Sequence, residues 1–236
     1  MKYGVVFIFI GVALAIYAFR YGWWGLPLWW LSLSFFFAGE AYLLNRPDFL
    51  GKGFGGIKEF LTKSLMLPYL IYVRGVWLLV RVFRQENAYA ELDESLFIGR
   101  RLFAYELPEG IERVVDLTAE FAVHKQWLDK IELICLPTLD AMPFSDVEHA
   151  IQFYKTMATN PKPTYIHCAE GHGRTGTFTA GWLMFQGIHK TSQEALSAIQ
   201  SVRPRVKLSS AQLMMLEGLE VKFMNPAESD SNKLID

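Results

Sequence analysis

Residues 165–176 join an apolar strand, a cysteine, a glycine-rich loop and a helix start in one run. The run reads Tyr-Ile-His-Cys-Ala-Glu-Gly-His-Gly-Arg-Thr-Gly, with Pro163 and Thr164 before it. Gly171 and Gly173 let the backbone curl so that successive N–H groups point into one concavity, and the helix start adds its positive dipole end. We therefore expect an α/β domain with an anion-binding loop at a strand end.

The reactive groups of this loop suit phosphate chemistry. Cys168 lies at the floor of the concavity, where the N–H donors favour the nucleophilic thiolate form. Arg174 can bind two phosphate oxygens at once, and the Thr175 hydroxyl can donate to the sulfur as it leaves. The predicted phosphate-binding residues are Ala169, Glu170, Gly171, His172, Gly173 and Arg174. The alternatives are a structural cysteine beside a glycine turn and an inert or rhodanese-like phosphate-binding loop.

The run resembles the signature loop of the cysteine-dependent protein tyrosine phosphatase superfamily, H-C-x5-R-[S/T], with His167 as a supporting residue. Residues 95–99 and 114–118 are similar to two strands of its dual-specificity branch, and Arg203-Pro204 followed by Gln212 to the segment before its last helix. The resemblance covers roughly residues 88–224. It implies a short central sheet flanked by helices, and hydrolysis of phosphate monoesters through a phosphocysteine, without metal or cofactor.

A candidate general acid lies upstream, where residues 131–140 read as a buried strand that emerges into a loop. A departing alkoxide needs a proton, and Asp140 is the first acid on that loop. Its rival is Asp146, but Ser145 and Glu148 form a capping-box pattern that predicts a helix start there. We therefore assign the role to Asp140, which also resembles the family's acid. Cys135, with apolar neighbours, is predicted to be a core residue.

Two apolar runs at the amino terminus predict a transmembrane helical hairpin within residues 1–50. Residues 3–19 and 23–44 each approach the ~20 residues that a helix needs to cross a bilayer. The basic residues follow the second run, so the positive-inside rule predicts a cytoplasmic catalytic domain and an integral protein of the bacterial inner membrane. The alternative for the first run is a cleaved signal peptide.

Residues 51–87 are predicted to hold a glycine-rich hinge and an interfacial helix. A third apolar stretch, residues 61–83, is broken by Pro68 and carries a basic stripe that could lie on anionic lipid. A third membrane span is the alternative. The stripe consists of Lys63, Arg74, Arg81 and Arg84. Residues 225–236 read as a disordered tail.

The expected function is a membrane-anchored phosphatase acting on phosphoproteins. The alternatives are a phospholipid headgroup phosphatase, such as one for phosphatidylglycerophosphate, and a catalytically silent phosphate-binding adaptor. The loop carries Glu170 where lipid phosphatases that attack polyphosphorylated inositols carry lysines, which disfavours such highly anionic headgroups. The expected partners are the substrate, the membrane and its anionic surface. No basic patch for nucleic acid lies outside the membrane segment.

Overall fold

The computed structural model describes residues 2–53 and 60–224. The chain begins with helix α1 (Lys2–Arg20), turns through a 3-10 segment (Gly22–Gly25) and returns as helix α2 (Leu26–Leu44). The two helices pack closely through small residues: Ser32 Oγ donates to the carbonyl of Gly11 over 2.7 Å, and a Cβ on Gly39 would lie 2.9 Å from the carbonyl of Gly4. They form an antiparallel hairpin.

Only α1 is long and apolar enough to span a membrane among the described helices, with 19 residues and a mean hydropathy of 2.0. The second helix starts later than predicted, because Trp23 and Trp24 lie on the 3-10 turn and α2 begins at Leu26. Both helices expose large apolar side chains, such as Phe9 and Phe19 on α1 and Leu33 on α2.

Two helices follow the hairpin: α3 (Phe60–Leu65) and α4 (Leu67–Phe83). The break between them lies at Met66 and not at the predicted Pro68, because Pro68 sits in the first turn of α4, where its missing N–H costs no helical hydrogen bond. One side of α4 buries Tyr69 and Trp77 against the rest of the chain. The other side exposes large apolar side chains: Ile71, Leu79, Val82 and Phe83.

A five-stranded sheet forms the centre of the remaining domain. Its strands are β1 (Tyr89–Asp93), β2 (Leu96–Arg100), β3 (Arg113–Thr118), β4 (Glu132–Thr138) and β5 (Thr164–Cys168), in the order β1-β2-β5-β3-β4. Only β1 is antiparallel to its neighbour, and the sequence patterns did not predict it. Because β5 is central and parallel to β2 and β3, the carboxyl ends of these strands meet around Cys168.

Four helices complete the domain: α5 (Val147–Thr159), α6 (Gly173–Phe185), α7 (Ser192–Val202) and α8 (Ser210–Met224). Alternate strand residues such as Val115, Ile134 and Ile166 share a core with these helices. The residues between them, including Val114 and Cys135, form a second cluster on the other side. Cys135 is buried as predicted, and burial raises its pKa to about 12. The predicted architecture of a short sheet flanked by helices is confirmed.

The hairpin shares a core with the α/β domain. Phe7 and Tyr42 of the hairpin and Tyr69 of α4 pack in one cluster with Ala119 and Leu139, which follow strands β3 and β4. The amino end of α1 and the carboxyl end of α2 therefore lie against the loops that leave the carboxyl edge of the sheet.

The predicted glycine hinge is corrected at its start. Lys52 is fully buried, and its Nζ donates to Asp116 Oδ2 over 2.7 Å and to the carbonyl of Thr118 over 2.8 Å. This segment is therefore fastened to strand β3. The rest of the predicted hinge, residues 54–56, and the predicted tail, residues 225–236, lie outside the described residues.

Candidate active site

The glycine-rich loop runs from the end of β5 at Cys168 to the start of α6 at Gly173. Gly171 has a φ of +75°, and a Cβ on it would lie 2.2 Å from the carbonyl carbon of Gly99. Only glycine fits this position, because the left-handed region and the close backbone approach both exclude a side chain. The turn brings the backbone N–H of Gly171 to 3.2 Å from Cys168 Sγ. One N–H of the predicted cradle therefore points at the thiol; the others stay a prediction.

Groups outside the loop hold its carbonyls and so orient the loop amides. Arg203 Nε donates to the Gly171 carbonyl over 2.8 Å, and the Trp77 indole donates to the Ala169 carbonyl over 3.2 Å. Because the carbonyl and N–H of a peptide unit point in opposite directions, tying the carbonyls outward turns N–H groups inward. Arg203 belongs to the recognised Arg-Pro motif, but the role of Trp77 was not predicted.

Two residues of the basic stripe, Arg81 on α4 and Arg84 directly after it, bind the domain that carries the loop, whereas Lys63 and Arg74 are exposed. Arg84 Nη1 lies 2.6 Å from Glu170 Oε2 and 3.1 Å from His172 Nδ1, and Arg81 forms an ion pair with Glu106. This corrects the expectation that both arginines lie on lipid. It also weakens the argument that Glu170 repels anionic headgroups, because Arg84 neutralises its charge.

Arg174 is buried and held by a glutamate. Its Nη1 and Nη2 donate to the two carboxylate oxygens of Glu120 over 2.9 and 2.8 Å, and Nη1 also donates to the Thr138 carbonyl over 2.9 Å. Burial alone would lower the pKa of Arg174, but the Glu120 carboxylate raises it well above its usual value. Its Nε has no hydrogen-bond partner among the described residues. The guanidinium is thus fixed by Glu120, and its Nε faces the loop after β4.

Sequence reasoning missed Glu120. The residue follows the carboxyl end of β3 by two positions, at the same sheet edge to which β5 brings Cys168. An acid at that edge could have indicated a partner for Arg174, because a buried arginine requires a counter-charge.

Asp140 lies on the loop after β4, with Oδ1 3.5 Å from Arg174 Nε. Its side chain is 53% exposed because it opens into the pocket. The protein atoms around it desolvate the carboxyl and raise its pKa above the usual value; Glu120 and Glu170 raise it further, against the opposing effect of Arg174. A raised pKa suits a group that must deliver a proton near neutral pH.

The rival acid is used elsewhere. Asp146 itself caps α5, since its side chain accepts a hydrogen bond from the His149 N–H over 2.9 Å. The cap was expected one residue earlier, at Ser145. Asp146 is therefore engaged in holding a helix start, which leaves Asp140 as the acid beside Arg174.

Two further predicted residues lie beside the loop. His167 is fully buried, its Nδ1 lies 3.2 Å from the Cys168 carbonyl, and burial lowers its pKa to about 4, so its ring is neutral at pH 7. Thr175 Oγ1 donates to the Gly99 carbonyl over 3.5 Å. Its hydrogen bond to the sulfur stays a prediction.

A cavity of about 230 Å³ opens at the loop. Cys168, Asp140, Glu170 and His172 line it, together with residues that precede or begin α8: Arg205, Lys207, Ser209 and Gln212. A nucleophile and a proton donor line this cavity, and the fixed cation Arg174 lies 3.5 Å from that donor, so these groups can carry out displacement at phosphorus. A larger cavity of about 590 Å³, near Thr164 and Arg113, contains none of these groups.

Comparison with known proteins agrees with this geometry. Residues 104–219 match the family model described as "Swiss Army Knife protein, DSP-PTPase phosphatase domain". The chain is 28% identical over 188 residues to the phosphatidylglycerophosphate phosphatase PTPMT2 of Arabidopsis thaliana, covering 71% of this chain and 79% of the relative. It is 28% identical over 180 residues to PTPMT1 of the same plant, covering 70% of this chain and about half, 51%, of the relative.

Solved structures share the fold. The crystal structure of PTPMT1 in complex with PI(5)P has a TM-score of 0.53 and 20% identity, and the match covers 60% of this chain and 99% of that one. The crystal structure of Tk-PTP in the active form has a TM-score of 0.51 and 24% identity, covering 57% and 97%.

Proposed function

Because the catalytic domain is a dual-specificity-like member of the cysteine-dependent protein tyrosine phosphatase superfamily, we propose that its substrate is a phosphate monoester on a phospholipid headgroup. Phosphatidylglycerophosphate is the first candidate, since two curated relatives carry that activity in their names. The phosphoprotein reading, favoured from the sequence alone, becomes the competing outcome of the test.

One observation carries the lipid proposal: the ends of the helical hairpin pack on the loops of the catalytic pocket. Asn45, directly after α2, donates through Nδ2 to the Pro143 carbonyl over 3.4 Å, and Tyr42 shares a core with Leu139 next to Asp140. If the hairpin crosses the bilayer, these ends lie at its surface. The pocket then opens at the depth where headgroups are found.

The proposed reaction has two displacements. Cys168 attacks phosphorus while the loop N–H groups and Arg174 stabilise the negative charge on the phosphoryl oxygens. Asp140 gives its proton to the leaving glycerol oxygen, which becomes an alcohol. Water then attacks the phosphocysteine, Asp140 takes a proton from that water, and inorganic phosphate leaves with the thiolate restored.

We propose that α1 and α2 both span the membrane, with the catalytic domain in the cytoplasm of a bacterial cell. The basic residues after α2 support this orientation through the positive-inside rule. A reporter fused after Asp236 should read as cytoplasmic, and Tyr21→Cys should react with an impermeant maleimide added from outside. A reporter that reads as exported would reverse the orientation.

The substrate test compares the full chain in detergent micelles or vesicles on two panels of monoesters. Phosphatidylglycerophosphate in vesicles should release phosphate with kcat/KM at least about tenfold above that of phosphotyrosine and phosphoserine peptides, since tethering raises the local headgroup concentration. Cys168→Ser is the control for background release. Efficient release of phosphate from the peptides, with none from the lipid, would contradict the proposal and favour the phosphoprotein hypothesis.

A further inference from the structure

Two basic side chains on the rim of the catalytic cavity, Arg205 and Lys207, have no acidic partner in the part of the chain that the structure describes. Arg205 and Lys207 line the cavity that holds Cys168, and both are exposed. Neither makes an ion pair or a side-chain hydrogen bond within residues 2–53 and 60–224. Both follow the Arg203-Pro204 motif and precede α8.

Three arginines beside the loop are occupied. Arg174 is held by Glu120 and Arg84 by Glu170, while Arg203 binds the carbonyls of the loop and lies 3.6 Å from Glu86. Their positions are therefore set before a substrate arrives. Arg205 and Lys207, in contrast, are available to an anion on the substrate.

The loop offers one site for a phosphoryl group, because it turns around a single thiol, with the Gly171 N–H 3.2 Å from Cys168 Sγ. Of the two carboxylates that line the cavity, Glu170 is neutralised by Arg84, and Asp140 carries a proton when it acts as acid. A second anionic group joined to the monoester by a short linker would therefore reach the rim without strong repulsion.

We propose that Arg205 and Lys207 form a subsite for the phosphodiester of a phospholipid whose headgroup ends in a phosphate monoester. This proposal rests on the proposed function and names the part of the lipid that is recognised. Exposed arginine and lysine side chains at the rim can bind a singly charged phosphodiester. The loop around Cys168, in contrast, suits the doubly charged monoester. The hairpin ends beside the same cavity favour a lipid over an acidic peptide.

The experiment uses two soluble monoesters that differ by the diester. Glycerol 3-phosphate has no diester, and deacylated phosphatidylglycerophosphate has one. Arg205→Gln/Lys207→Gln in the full chain should lower kcat/KM on the second compound about tenfold, mostly through KM, and change the first less than about twofold. Lys155→Gln, on the exposed side of α5, is the matched control. High salt should shrink the difference in the wild type.

The outcomes separate two failures. An equal loss of kcat/KM on both compounds would mean that the two residues attract anions in general. No loss on either compound would mean that they do not contact the substrate. Either result would contradict the phosphodiester subsite. If the wild type hydrolyses phosphopeptides but neither headgroup compound, the proposed function falls, and the diester assignment falls with it.

A separate observation concerns the general-acid loop. Ala141, next to Asp140, has a φ of +58°, a left-handed conformation that is unfavourable for a non-glycine residue. The catalytic domain holds one side of this loop, where Ser209 Oγ donates to the Ala141 carbonyl over 2.7 Å. The hairpin holds the other side, through Asn45 on the Pro143 carbonyl and through the Tyr42 hydroxyl, which approaches the backbone of Asp140.

We infer that Tyr42 and Asn45 are positioning residues for Asp140. Tyr42→Phe keeps the buried ring but removes the hydroxyl, and Asn45→Gly keeps the left-handed backbone (φ 50°) but removes the amide. Each variant should lose about tenfold in kcat/KM on alkyl phosphates and little in kcat/KM on aryl phosphates, whose leaving group needs no proton in the first displacement. Tyr72→Phe on α4 is the control.

Leaving-group dependence distinguishes positioning from mere stability. A loss that is the same for alkyl and aryl phosphates would contradict the inference, and so would wild-type rates on both. Tyr42→Phe removes the contact with the Asp140 backbone and keeps the Asn45 hydrogen bond, whereas Asn45→Gly does the reverse. If one variant misfolds, the other still tests the inference.

Discussion

The buried ion pair between Lys52 and Asp116 allows a worked prediction of stability. Both side chains are fully buried, and Lys52 Nζ has three acceptors: Asp116 Oδ2 at 2.7 Å, the Thr118 carbonyl at 2.8 Å and Thr118 Oγ1 at 3.2 Å. Lys52→Met keeps most of the side-chain volume but leaves a buried carboxylate without its main partner. Removing one partner of a buried pair costs about 3–5 kcal/mol.

The lower end of that range is expected here. Asp116 Oδ1 still accepts hydrogen bonds from the Thr118 N–H and hydroxyl, and Arg101 Nη1 remains 3.6 Å from Oδ2. We therefore expect a loss of about 3 kcal/mol in the free energy of unfolding, a large share of the about 5–15 kcal/mol typical of a domain.

The loss should depend on pH with a defined sign. Burial alone would raise the pKa of Asp116, but Lys52, with His167 and Arg101, holds it well below the usual range. The stability from this carboxylate is therefore present above its unfolded pKa and is lost as pH falls through the folded pKa. In Lys52→Met the carboxyl takes a proton more readily, so the penalty is full at pH 7 and shrinks as the pH is lowered.

Urea unfolding of the full chain in micelles measures this loss. The matched control is Arg46→Gln, which breaks an ion pair with Asp48 whose partners are 57% and 56% exposed and should cost at most about 1 kcal/mol. Lys52→Met/Asp116→Asn removes the buried charge as well and should regain part of the loss. If Lys52→Met costs no more than Arg46→Gln, the reasoning from the buried pair is refuted.

Three further predictions concern catalysis. Asp140→Asn should lower kcat/KM, which reports the first displacement, about 10²- to 10⁴-fold on alkyl phosphates and little on aryl phosphates. The acid must carry its proton, and the pKa of Asp140 is raised, so the wild-type rate should fall with rising pH at a higher pH than it would with an unperturbed aspartate. The pH–rate profile of Asp140→Asn should lack that fall. A variant profile equal to that of the wild type would exclude Asp140 as the acid. Glu120→Gln should lower kcat/KM about tenfold on all monoesters, since Arg174 loses its counter-charge, and a wild-type value would contradict this. A chain that starts at Ala88 lacks Lys52, which binds Asp116, and Trp77, which binds the loop carbonyl of Ala169. It should therefore be far less active than the full chain, even on soluble aryl phosphates. Full activity would show that residues 88–224 fold and act without these amino-terminal contacts.

The local part of the site could be predicted from the sequence. Cys168, the loop and Arg174 are contiguous, so strand end, glycine turn and helix start fix their relation within a few residues. Asp140 could be found because a buried strand ends just before it, and parallel strands bring their carboxyl ends to one edge. Its identity as the acid still depends on the structure, which engages Asp146 in a helix cap.

The contacts between distant segments could not be predicted. Glu120 lies 54 residues from Arg174 in the chain, and Lys52 lies 64 residues from Asp116. Neither spacing leaves a periodic signal. The arginines of α4 were assigned to lipid because an apolar helix with a basic stripe is typical of a membrane surface, whereas Arg81 and Arg84 pair with Glu106 and Glu170. A charge pattern shows which face is polar but does not identify the opposing surface.

The central claim is that Cys168 is the nucleophile, and the direct measurement is the site of phosphorylation during turnover. The full chain carrying Asp140→Asn is mixed with an aryl phosphate and quenched rapidly, since loss of the base should slow the second step and let the intermediate accumulate. Mass spectrometry of the peptides should find one phosphoryl group on Cys168, and none when Cys168→Ser is combined with the same change. A phosphoryl group on any other residue, or turnover by Cys168→Ser within tenfold of the wild type, would contradict the account.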